Sequence, residues 1–119
     1  MRWCIDLDGV ITSNPDFFRW WTYQLKKKGN KNGIHILTAR NPSRIEETIR
    51  ELEFWGISYD QLHTMDESEP RGLNNLGIWK LNMIIEIKPD IWIENEIKAY
   101  KAVGVDFDKL PKTLNIINI

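Results

Sequence analysis

The run Trp3-Cys4-Ile5-Asp6-Leu7-Asp8-Gly9-Val10-Ile11-Thr12 carries an apolar segment into two carboxylates separated by a single residue, with a glycine directly after them. A glycine at that point lets the backbone turn away from a strand end. Strand side chains alternate between faces, but this pair sits at the exit, where the chain already bends. Asp6 and Asp8 can therefore approach one ligand together. Two acids so close repel each other unless a cation or a shared proton relieves them. Asp and Gly are also common turn residues, so the motif takes its meaning from the other strand ends of the chain.

Outward from that run, strands and helices alternate. Residues 3–11 read as a buried parallel strand, apolar on both faces. Ser13-Asn14-Pro15-Asp16 is a helix start, with a capping residue and then proline at the first helical position. Phe17, Trp20, Trp21 and Leu25 follow helical spacing, and Lys26-Lys27-Lys28-Gly29 closes the helix with cations and a glycine stop. Gly33 to Thr38 is the second strand. Asn41-Pro42 opens a second helix with a stripe of Ile45, Ile49 and Leu52, a Glu46–Arg50 pair on its wet face, and Gly56 at its end. Gln61 to Met65 is a short third strand, and residues 66–74 are a loop. A third helix spans Asn75 to Lys88 with Leu76, Trp79, Met83, Ile84 and Ile87 on one face, and Pro89 stops it. Asp90 to Glu94 is the fourth strand, a short helix carries Ala99, Tyr100 and Val103, and Leu114 to Ile119 is the last strand.

This alternation predicts an α/β fold, a Rossmann-like three-layer sandwich around a mostly parallel five-stranded sheet, in one domain over residues 1–119. Ligands in such sheets bind beyond the carboxyl ends of the strands. Three of the strands end in polar residues there: the first at Asp6 and Asp8, the second at Thr38, the fourth at Glu94. An acidic turn alone does not explain that convergence.

Those residues carry a resemblance. The chain resembles the haloacid dehalogenase superfamily of phosphatases and phosphotransferases over essentially its whole length. Cys4 to Thr12 is similar to the family's first motif, an aspartate nucleophile with a second aspartate two residues on. Ile36-Leu37-Thr38-Ala39-Arg40 is similar to the second motif, and Lys80 is placed like the lysine of the third. Ile91-Trp92-Ile93-Glu94-Asn95-Glu96 is similar to the fourth, with one departure: adjacent aspartates are usual there, and this chain has Glu94 followed by Asn95. The resemblance implies a Mg²⁺ cofactor held by the Asp6 carboxylate, the Asp8 main-chain carbonyl and Glu94.

The chemistry fits these residue types. An anionic carboxylate attacks a phosphoryl group only if cations shield both, and Mg²⁺ is commonly held by one or two carboxylates plus substrate phosphate. Asp6 is the expected nucleophile, forming an aspartyl-phosphate. Asp8 is the expected acid that protonates the leaving oxygen and then activates water. Thr38 and Lys80 would bind phosphoryl oxygens, with backbone amides near Gly9 and Ala39 completing the cradle. Arg40 suits either a bidentate phosphate contact or an ion pair. Rival readings exist for others of the set: Thr38 as a helix-approach residue, Lys80 as a solvated lysine with Lys88 as competitor, Glu94 as a turn acid. His35 and His63 read as strand residues of the core or edge, and Cys4 as a small buried hydrophobe. The aromatic cluster Phe17-Phe18-Arg19-Trp20-Trp21 reads mainly as core rather than as a base-stacking platform.

Composition narrows the classes. Net charge is −1 and 28% of residues are charged, so the overall balance argues for neither nucleic acid nor an anionic membrane as partner. No apolar run approaches the roughly 18 residues of a membrane span. A single cysteine excludes an intrachain disulfide and a cysteine zinc cluster. No signal-peptide pattern opens the chain, so a cytoplasmic location is expected. The intervals between motifs leave no room for the cap domain of many relatives, so the expected site is open. The expected function is Mg²⁺-dependent hydrolysis of a phosphomonoester on a nucleotide or a nucleic-acid end; the phosphatase part of a nucleic-acid repair system, beside a kinase or ligase on another chain, is kept as another class. The alternatives are a sugar-phosphate or other small-metabolite phosphatase, and a catalytically impaired phosphate-binding or regulatory module.

Overall fold

Strands that are short and apolar on both faces need cover on both faces. In the computed structural model, which describes residues 1–29 and 33–119, the three central strands have it, while one edge strand is half-buried and the other exposed. β1 (Trp3–Asp6), β2 (Ile34–Thr38), β3 (Gln61–Thr64), β4 (Ile91–Glu94) and β5 (Asn115–Asn118) form one sheet in the order β3-β2-β1-β4-β5. Every neighbouring pair is parallel, with Trp3 opposite both Ile34 and Ile91. α1 (Pro15–Lys27) and α2 (Ile45–Trp55) pack with Ile5, Ile34, Ile36 and Ile93 on one face. α3 (Leu73–Ile87) and α4 (Ile97–Ala102) pack with Cys4, Leu37 and Trp92 on the other. The three-layer α/β arrangement expected from the sequence is the one observed.

Alternation along β1 and β4 places the chemistry. Cys4 and Trp92 face α3, so Asp6 and Glu94, two residues on, face α3 as well. β1 is also the strand from which the sheet extends in both directions, to β2 on one side and β4 on the other. Ligand sites of open α/β sheets lie at such a switch point, beyond the carboxyl ends.

Several boundaries and faces differ from expectation. β1 ends at Asp6, and Leu7–Ile11 forms a bend in which Asp8 keeps extended backbone (φ −77°, ψ 125°) and Gly9 turns at φ 85°. Leu7, Val10 and Ile11 are buried at a helix-like spacing, and Thr12 N donates to Leu7 O at 3.1 Å. On α1 the fully buried residues are Phe18 and Thr22, while Phe17 and Trp20 are exposed, so the aromatic cluster is core only in part. On α2 the buried positions are Thr48 and Leu52, and among the described residues Glu46 and Arg50 form no ion pair. On α3 the buried line is Gly77, Lys80, Leu81, Ile84 and Ile87; it keeps Ile84 and Ile87 of the expected stripe, while Leu76, Trp79 and Met83 lie beside it. That helix is apolar on most sides, so hydrophobicity alone does not select its inner face.

The helix ends follow the local chemistry. Asn14 Oδ1 accepts from Phe17 N at 3.3 Å and Pro15 opens α1. Asn41 Oδ1 accepts from Ser43 N at 2.9 Å ahead of the tight turn Pro42–Arg44 that leads into α2. Gly56 ends α2 at φ 70°. No helix among the described residues is long and apolar enough to cross a membrane.

Candidate active site

Lys80 is the centre of the site. Its Nζ lies 2.8 Å from Asp6 Oδ1 and 2.8 Å from Glu94 Oε2. All three side chains are buried: Asp6 is 3%, Lys80 4% and Glu94 0% exposed. The Tyr100 ring from α4 lies beside the ammonium, its centroid 5.4 Å away. Lys88, the competing lysine, is exposed at the far end of α3, in the left-handed region at φ 57°. The structure therefore joins Lys80, not Lys88, to the strand-end acids.

The charges do not balance. Two buried carboxylates share one ammonium, which leaves the cluster one positive charge short. Burial pushes the Asp6 carboxyl up to about 7; Lys80 pulls the other way and Glu94 adds to the rise. For Lys80 burial opposes the charge, but Asp6 and Glu94 outweigh it and the pKa is raised. Burial also lifts the Tyr100 hydroxyl to about 12, and the Cys4 thiol to about 12, as suits a buried hydrophobe rather than a nucleophile.

Asp8 sits past the strand end, where Gly9 makes the turn at φ 85°. A side chain at Gly9 would be strained, and its Cβ would overlap the amide of Asn95. Gly9 N donates to Thr12 Oγ1 at 2.8 Å, which closes the bend. Thr38 Oγ1 lies 3.4 Å from Asp8 Oδ2 and accepts from Arg40 N at 3.1 Å. Arg40 grips Asp8 from the side, its Nη2 2.8 Å from Oδ1. Its own pKa is raised, chiefly by the hydrogen bonds to Asp8. Asp6, Asp8, Ala39, Arg40, Lys80 and Tyr100 line one open cleft of about 350 Å³ at the carboxyl ends of the strands. Asp6, Asp8, Thr38, Ala39, Arg40, Lys80 and Glu94 thus come together; Gly9 shapes the bend beside them.

Glu94, the ligand implied by the resemblance, is held by three donors. Oε2 accepts from Lys80, and Oε1 accepts from the backbone N–H groups of Asn95 at 3.0 Å and Glu96 at 3.3 Å. Both Glu94 oxygens are therefore already engaged by donors of the chain itself. The neighbouring Asn95 has the opposite condition: its Oδ1 is buried without a hydrogen-bond partner, against the Gly9 bend. A buried acceptor without a donor is costly unless something electropositive meets it. In the sequence this residue gives no signal of its own, because an amide there looks like the loss of an acid. Among the described residues no cluster of three or more His, Cys, Asp or Glu could hold a metal ion. Mg²⁺ sites do not require one, since substrate phosphate and water usually complete them. The charge deficit and the unmet Asn95 oxygen both fit a cation at this place.

His35 and His63 stand apart from the cluster. They face each other across β2 and β3, with Nδ1 of the first 2.9 Å from Nε2 of the second. Burial holds His63 below the usual imidazole range, and His35 adds to that.

No family model matches this chain, and no curated protein matches it. Among solved structures it is similar to a chain described under "Structure of Pnkp1/Rnl/Hen1 complex", with a TM-score of 0.63 and 20% identity. The match covers 99% of this chain and 45% of that one, so this chain spans about half the length of its structural neighbour. Likeness at that identity supports the α/β fold described above.

Proposed function

We propose that this protein is a haloacid dehalogenase-type phosphomonoesterase that uses Mg²⁺ and works through an aspartyl-phosphate. The observation that carries the reading is the buried triad of Asp6, Lys80 and Glu94, one positive charge short, opening onto a cleft that Asp8, Thr38 and Arg40 also border. The Asp6 carboxylate, the Asp8 carbonyl and Asn95 Oδ1 would hold the ion. When bound, Mg²⁺ supplies the missing positive charge and shields phosphate from carboxylate.

The residues divide the work. Lys80 engages Asp6 Oδ1, which leaves Oδ2 to attack phosphorus. As that bond forms, the phosphorus–oxygen ester bond breaks and Asp8 gives its proton to the departing oxygen. Asp8 then takes a proton from water, whose oxygen attacks the aspartyl-phosphate, breaks its phosphorus–oxygen bond to Asp6 and releases inorganic phosphate. Arg40 and the Thr38 hydroxyl bind phosphoryl oxygens. Glu94 keeps Lys80 charged and in place rather than holding the ion. The open cleft and the Thr38-Ala39-Arg40 pairing favour a nucleotide or nucleic-acid end as substrate.

The test is turnover of p-nitrophenyl phosphate with and without Mg²⁺, run together with Asp6→Asn. Mg²⁺-dependent hydrolysis that Asp6→Asn abolishes, with an acid-stable phosphorylated protein trapped in wild type only, is the expected result. Wild-type-like turnover in Asp6→Asn would sink the covalent mechanism. No turnover with any divalent metal would leave a phosphate-binding module.

A further inference from the structure

Asp8 and Arg40 have separate tasks in the proposed reaction, yet in the structure they engage each other. Arg40 Nε lies 3.2 Å from Asp8 Oδ1 and 3.1 Å from Oδ2, and Nη2 lies 2.8 Å from Oδ1. Thr38 Oγ1 also reaches Oδ2, at 3.4 Å. A carboxyl group held at both oxygens by Arg40 is directed at the guanidinium rather than at a leaving group. The Nε–Nη2 edge that holds Asp8 is not available to a phosphate at the same time.

Resting on the phosphatase reading above, we propose that Arg40 exchanges one anion for another. In the free protein it holds Asp8; an arriving phosphate takes its donor edge, and Asp8 is released for proton transfer. The fork of an arginine matches carboxylate and phosphate alike, so the two compete for the same donors. The other edge of the guanidinium is fixed. Nη1 donates to Thr48 Oγ1 at 3.3 Å and to Glu51, both on α2. Arg40 therefore stays in the cleft wall while its partner changes. Exposure agrees with this division: the Arg40 side chain is 10% exposed and that of Asp8 54%. The more exposed member of the pair is the one assigned to proton transfer.

The exchange makes phosphate binding and Asp8 release reciprocal. Whatever factor Asp8 costs phosphate in affinity, phosphate costs the Asp8–Arg40 contact. Simple repulsion between Asp8 and phosphate would not pass through Arg40, and a double-mutant cycle separates the two. The measured quantity is the Kd of inorganic phosphate, by calorimetry at saturating Mg²⁺. Wild type, Asp8→Asn, Arg40→Gln and the double variant are compared, with turnover of p-nitrophenyl phosphate by wild type alongside.

With Arg40 present, Asp8→Asn should tighten phosphate binding about fivefold, the scale of a half-exposed ion pair. In the Arg40→Gln background the same change should have less than about twofold effect. Equal tightening in both backgrounds would mean repulsion only and overturn the exchange. No tightening with Arg40 present would overturn it too, while wild-type turnover would leave the phosphatase reading standing. Absence of both turnover and phosphate binding would remove that reading and the exchange together. If Arg40→Gln fails to fold, Arg40→Lys serves instead, because it keeps the charge but not the fork, and the coupling should again collapse.

Discussion

Lys80 occupies a position that a helix lysine rarely tolerates, buried on the inner line of α3 between two acids. Removing it strands Asp6 and Glu94 together. Lys80→Met keeps much of the stem but not the charge, and should cost about 3–5 kcal/mol, the scale of breaking a buried ion pair, read as a lower urea midpoint. The charge deficit also has a pH signature. Asp6 has a folded-state value of about 7 against an ordinary 3.8. The folded protein therefore keeps a proton that the unfolded chain gives up. Stability from this group is fully present below about pH 4 and is lost as pH rises through about 7. Metal-free wild type should lose up to about 4 kcal/mol across that window relative to Asp6→Asn, which cannot titrate. Urea unfolding at pH 4.5, 6 and 8 checks it, and parallel curves for the two proteins would show that Asp6 does not hold the proton. At this scale the acids were legible because they close apolar runs at strand ends. Lys80 was legible only through the family resemblance, since nothing in a helix pattern points a lysine inward. Asn95 and Glu51 were not legible, because their significance lies in which partner each lacks or holds.

The elements deliver these residues through parity and one bend. Alternation along β1 and β4 was readable, and it puts Asp6 and Glu94 on the α3 side. The bend looks like strand in the sequence because Leu7, Val10 and Ile11 are apolar, and Asp8 does keep extended backbone, but the chain turns at the next residue. Gly9 is the residue that permits it. Gly9→Ala would force a side chain into φ 85° and against the Asn95 amide. It should cost about 1–3 kcal/mol and displace Asp8, so activity should fall further than the melting temperature implies. A loss of stability with unchanged turnover would detach Gly9 from the site. α1 gives the complementary case. Helical spacing joins Phe17, Phe18, Trp20 and Trp21 into one group, but only the packing tells which of them face inward. Phe18 is 3% exposed, whereas Phe17 is 42% and Trp20 55%. Phe18→Ala should cost about 3–5 kcal/mol, while Trp20→Ser should stay within about 0.5 kcal/mol of wild type. Equal losses in the two variants would mean that Trp20 is covered in solution.

At the scale of the whole molecule, the sheet order gathers the carboxyl ends of β1, β2 and β4 at one edge, and the described segments between strands add only the covering helices. Nothing among the described residues roofs the cleft. On the proposed reading, an open site makes few contacts with a small substrate, so stabilisation of its transition state would fall to Asp6, Lys80, Thr38 and Arg40. Binding energy from remote parts of a larger substrate can be used at the reacting centre instead. Generic phosphate esters should therefore be hydrolysed with a high KM. A phosphorylated oligonucleotide should show a larger kcat/KM than either p-nitrophenyl phosphate or the matching mononucleotide. The overall charge of −1 sets a limit on how that advantage arises. A chain without a positive excess offers a polynucleotide no overall long-range attraction, so the gain is expected from contacts near the cleft and should fall only gently with salt. The comparison is kcat/KM for p-nitrophenyl phosphate, mononucleotides, 3′- and 5′-phosphorylated oligonucleotides and sugar phosphates at one Mg²⁺ concentration and two ionic strengths. A clear win for sugar phosphates would replace the nucleic-acid reading while leaving the phosphatase standing. A steep salt dependence with oligonucleotides would place the recognition on a cationic surface away from the cleft.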